Sequence, residues 1–65
     1  MSEREYAIIR LREIMSILKK IDNLVYNIDD RRYPEVMTIR SLLAYVDERL
    51  YAIERILLKM EEVER

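Results

Sequence analysis

The chain has 65 residues, enough for a single domain over 1–65 and too few to bury a sizeable core by itself. It contains neither Cys nor His, which removes disulfides, thiolate metal sites, the commonest metal ligand and the commonest general base. Twelve basic residues against thirteen acidic ones leave a net charge of −1, too balanced to call for a polyanion. No apolar run approaches the roughly 18 residues of a membrane span and no signal-peptide core is present, so the expectation is a soluble, cytoplasmic protein with no membrane partner.

In chain order, Ser2 is a good N-cap, and Glu3 and Glu5 follow it in the first turn, where carboxylates favour the positive helix end. From there Ala7, Leu11, Ile14, Leu18, Ile21, Val25 and Ile28 step by alternating fours and threes, which predicts one helix over about 3–29. The segment Asp29, Asp30, Arg31, Arg32, Tyr33 breaks the repeat ahead of the single proline, Pro34. A residue before proline is pushed out of the α region and proline suits a first helical turn, so a second helix is predicted over about 34–64. Its stripe is Val36, Ile39, Leu43, Val46, Leu50, Ile53, Leu57 and Met60.

The two stripes mirror one another about residue 32. Folding the chain back pairs Ile28 with Val36, Val25 with Ile39, Ile21 with Leu43, Leu18 with Val46, Ile14 with Leu50, Leu11 with Ile53 and Ala7 with Leu57. One register satisfies every layer. The fold class is therefore all-α, an antiparallel two-helix hairpin.

With Leu11 and Leu18 at heptad position a, further apolar residues fall outside the a/d seam. Ile8 and Met15 take e, Ile17 and Leu24 take g in helix 1, and Leu42, Ile56 and Val63 take g in helix 2. Met37, Ala44, Tyr51 and Leu58 form a b row, open to partial cover by long neighbours or to contact with a further partner. A face this wide exceeds the two-helix seam and matches helices of four-helix bundles. The expectation is a homo-oligomer, with a dimer favoured, whose core and interface comprise Leu11, Ile14, Ile17, Leu18, Ile21, Leu24, Val25, Ile39, Leu42, Leu43, Val46, Leu50, Ile53, Ile56 and Leu57.

The function that follows is a non-enzymatic, self-associating structural or protein-interaction module, whose partner is another copy or a different protein. Carboxylates Asp47, Glu54 and Glu61 at e, with Glu48 and Glu62 at f, are read as solvated, since nothing in the sequence places them inside to perturb their chemistry. The bundle di-metal motif needs Glu-x-x-His, which a chain without His lacks. No catalytic, cofactor-binding or metal residue is assigned. Tyr6, Tyr26, Tyr33, Tyr45 and Tyr51 are read as bundle-edge rings with wet hydroxyls.

One alternative is a small nucleic-acid-binding regulator: Arg12, Lys19 and Lys20 on helix 1, with Arg31 and Arg32 at the turn, form a basic stripe that a two-fold dimer would repeat. In length and hairpin form the chain resembles the small plasmid copy-number regulators that dimerise into four-helix bundles and hold paired RNA loops, without their sequence motifs. The run Ile8, Leu11, Arg12, Met15 resembles the first helix of the sporulation-control aspartyl-phosphate phosphatases. Arg40 and Ala44 stand where that family's second helix carries Ser and Asp, so its activity does not carry over. A further alternative is an artificial bundle. Gly, Gln, Trp and Phe are absent as well, a bias that thermophile proteins share with idealised designs and that predicts thermostability under either origin.

Overall fold

The computed structural model describes residues 2–63, of which the last three are described by their backbone alone. Two α-helices, α1 (Glu3–Tyr26) and α2 (Glu35–Val63), pack against each other as a hairpin. The expected continuation of α2 to Glu64 lies outside the described residues, as do the side chains of Glu61, Glu62 and Val63.

The start of α1 follows from its cap. Ser2 is extended (φ −77°, ψ 161°), its Oγ accepts a hydrogen bond from the Glu5 N–H at 3.1 Å, and its carbonyl accepts from the Tyr6 N–H at 3.0 Å. Glu3 and Glu5 place two carboxylates on the positive end. The other end stops at Tyr26, three residues short of the predicted Asp29. Short polar side chains there offer the backbone competing partners. The Asn27 amide donates to the Asn23 carbonyl at 3.1 Å, and the Asp29 carboxylate accepts from the Arg31 N–H at 3.0 Å, forming a turn of its own.

Many helices close through a left-handed residue, most often glycine. Here no described residue has a positive φ, and Asn27 stays near the helical region (φ −84°, ψ −4°). The closing group comes from the other helix. Arg40 of α2 donates to the Tyr26 carbonyl at 3.1 Å, to the Ile28 carbonyl at 3.0 Å, and to the Asp30 carboxylate at 3.4 Å. A cation at the negative end of α1 is favourable, and its planar fork ties the turn to both helices at once. The Tyr33 N–H returns to the Asp29 carbonyl at 3.0 Å, and α2 begins directly after Pro34, with Val36 bonded to Tyr33 and Met37 to Pro34.

The packing departs from the predicted a/d seam. The a residues turn inward: Leu11 and Val36 are buried, and Leu18, Val25, Leu43, Leu50 and Leu57 are half-buried. Their companions are the e positions, namely Ile8, Met15, Asp22, Arg40, Asp47 and Glu54. Apart from Ala7, the d residues Ile14, Ile21, Ile28, Ile39, Val46, Ile53 and Met60 keep 39–47% of their surface exposed. Each helix is thus rotated from a/d toward a/e. A single neighbouring helix covers only one narrow strip, and a second apolar strip on the same helix must then face outward. Among the described residues only Ile8, Leu11 and Val36 are buried, at 3–8% exposure. The result is a slab one helix thick, 53 × 17 × 11 Å.

Candidate interaction surface

In an antiparallel pair whose helices both turn a and e inward, the d and g rows emerge on one side of the slab and the b and f rows on the other. The d/g side carries Ile14, Ile17, Ile21 and Leu24 from α1, Ile28 from the turn after it, and Ile39, Leu42, Val46, Ile53, Ile56 and Met60 from α2, all of them exposed. Its g residues are the most open, with Leu24 at 71% and Leu42 and Ile56 at 59%. Soluble monomers seldom expose a contiguous apolar face of this extent.

Two arginines interrupt the g rows, and both are folded away in the same manner. Arg10 donates from Nε to the Tyr6 hydroxyl at 2.9 Å, lies 5.2 Å from the centre of that ring and bridges to Glu13 at 3.0 Å. Arg49 donates to the Tyr45 hydroxyl at 2.8 Å and lies 5.0 Å from its ring. In each case a tyrosine one turn earlier, at the rim position c, draws the guanidinium off the apolar strip. The hydrogen bonds to Tyr6 and Glu13 hold Arg10 even more firmly protonated than usual. Tyr6 and Tyr45, expected at a bundle edge with wet hydroxyls, are more than half exposed, and their hydroxyls accept from arginine.

The b/f side differs. Arg12 crosses the seam to Glu54 at 3.0 Å. Lys19, Asn23, Glu48 and Arg55 separate the exposed Met37, Tyr51 and Leu58, so the b row is uncovered but broken by charge. Two shallow grooves flank the seam here, one lined by Asp22, Val25, Tyr26, Arg40, Leu43 and Asp47, the other by Met15, Lys19, Asp22, Asp47 and Tyr51.

The predicted basic stripe is divided. Arg12 is paired with Glu54, Lys19 lines a groove that holds two aspartates, and Lys20 stands at the c rim of the opposite, apolar side. Arg31 and Arg32 lie in the turn, Arg32 stacked 5.7 Å from its neighbour Tyr33. Tyr26, on the same b row as Arg12 and Lys19, lies under Arg40 at 5.6 Å.

The carboxylates Asp47 and Glu54 need correction. Rotation of the seam toward e brings both into its half-buried flank, the Glu54 side chain to 20% exposure, where the expectation was open solvent. Two features went unread in the sequence: the Arg40 clamp, and the meeting of Asp22 with Asp47. Charged residues at e beside apolar a positions were the available signal for both. Among the described residues no group of three or more His, Cys, Asp or Glu side chains could hold a metal ion, and no helix is long and apolar enough to cross a membrane. No family model, curated protein or solved structure matches the chain.

Proposed function

We propose that this protein is a non-enzymatic, self-associating helical module in which two hairpins pack their d/g faces into a four-helix bundle, and that its role is structural or protein-binding. The observation that supports this reading is the row of eleven exposed aliphatic and Met side chains on one side of a slab with three buried residues of its own. Area supports it too. The slab outlines about 900 Å² per side, against roughly 800 Å² that each partner contributes to a standard stable interface. A chain with one such face closes most simply with a second copy of itself, around a two-fold axis.

Sedimentation equilibrium at micromolar concentration tests the reading. The expected mass is about 16 kDa, twice the 8.0 kDa of the chain. A fully folded 8.0 kDa monomer would overturn it. A trimer or tetramer would keep self-association and replace the two-fold geometry.

A further inference from the structure

Asp22 of α1 and Asp47 of α2, both half-buried at e positions, line the same two grooves beside the seam and meet there carboxyl to carboxyl. Elsewhere along the same flank the seam pairs opposite charges, as in Arg12 with Glu54. The groups around the pair do not neutralise it in the same way. On the turn side Arg40 is occupied by two backbone carbonyls and Asp30, with Tyr26 beside it. On the other side stand Lys19 and Tyr51, with apolar Met15 completing the groove.

We propose that Asp22 and Asp47 form an acid-operated latch: one proton taken from solvent and held between the two carboxyls ties α1 to α2, and its loss leaves two negative charges that push the seam apart. Two carboxylates at hydrogen-bonding distance cannot both ionise without cost, and one of them keeps its proton to higher pH. Partial burial, then the hydrogen bond to Asp22 and the charge of Asp22, raise Asp47 above its ordinary value of 3.8. A folded-state value above the unfolded one means that the stabilisation is fully present below the unfolded value and is lost as pH rises through the folded one. Acid strengthens this contact. Because the pair lies on the b/f flank, it stays open to solvent when the d/g face is covered, so the latch works in a monomer or a dimer.

The test is the melting midpoint of the full chain from acid to neutral pH, for the unmodified protein and for Asp47→Asn and Asp22→Asn. Acid also protonates the carboxylates that serve Arg12 and Arg40, so the quantity read is the difference between variant and unmodified protein. An asparagine amide can donate to the remaining carboxylate at any pH. Each variant is expected to melt about 5 °C higher at neutral pH, with the gain vanishing below about pH 4, where an ordinary Asp titrates. Either variant alone shows the effect, and the double variant adds little to it. A gain that is absent, reversed or independent of pH in both single variants overturns the latch. Sedimentation at each pH keeps the result separate from self-association.

Discussion

The two broad sides of the slab have the same length, the same two helices and the same backbone, yet they carry different surfaces. On the d/g side Ile and Leu recur without a charge between them for most of the length, and the two arginines that fall in the row are laid against Tyr6 and Tyr45. On the b/f side Met37, Tyr51 and Leu58 are as large, but Lys19, Glu48, Arg55 and the Arg12–Glu54 bridge stand among them. Apolar area alone does not separate the sides. Continuity does, because burying the b/f side would strip water from charges that lack partners across the interface, whereas burying the d/g side removes mainly aliphatic surface from water.

The most severe way to test this division is to attack the strip that serves both sides. Leu50→Asp places an unpaired charge in the half-buried seam and is expected to cost about 3–5 kcal/mol, with loss of helical dichroism at 25 °C; Glu48→Asp, two residues away on the b/f side, should change stability by less than about 0.5 kcal/mol. Equal melting points for the two would mean that the heptad frame is misassigned.

Next in size is the contrast between the sides themselves. Leu24→Glu combined with Leu42→Glu puts two charges on the most open part of the d/g face and is expected to halve the sedimenting mass to the 8.0 kDa chain, with a large drop in melting point. Tyr51→Glu on the b/f side should leave the mass unchanged. If Tyr51→Glu dissociates the assembly and the double leucine variant does not, the sides have exchanged roles.

Arg40→Ala tests the turn that joins them. It removes a charged donor from two helix-terminal carbonyls and from Asp30, and the expected cost is about 1–3 kcal/mol, visible as faster amide exchange around Tyr26–Ile28. Arg40→Lys should recover only part of this, since an ammonium lacks the planar fork. The smallest effect expected is that of Ser2→Ala, about 1 kcal/mol through the loss of the N-cap bond to Glu5. The unmodified protein should melt near or above about 90 °C, the threshold for hyperstability.

Much of the hairpin was legible in the chain. The three-and-four spacing marks both helices, Ser2 marks where α1 begins, and Pro34 marks α2 to within a residue, because these are local signals set by backbone sterics and capping. α1 ends three residues before the period predicts. The apolar Ile28 continues the period, and the competition from Asn27 and Asp29 side chains outweighs it.

Sequence by itself determined two antiparallel amphipathic helices and the surplus of apolar side chains that one seam cannot hold, since period and capping depend on neighbours a few residues away. Which strip becomes the seam was decided only when the helices met. Heptad spacing is equally consistent with a facing d or a facing e, and a rotation of one position separates a core of Ile14, Ile21 and Ile53 from one flanked by Asp22, Asp47 and Glu54. The Arg40 clamp and the Asp22–Asp47 contact follow from that rotation, because side chains from distant parts of the chain meet only in the folded pair.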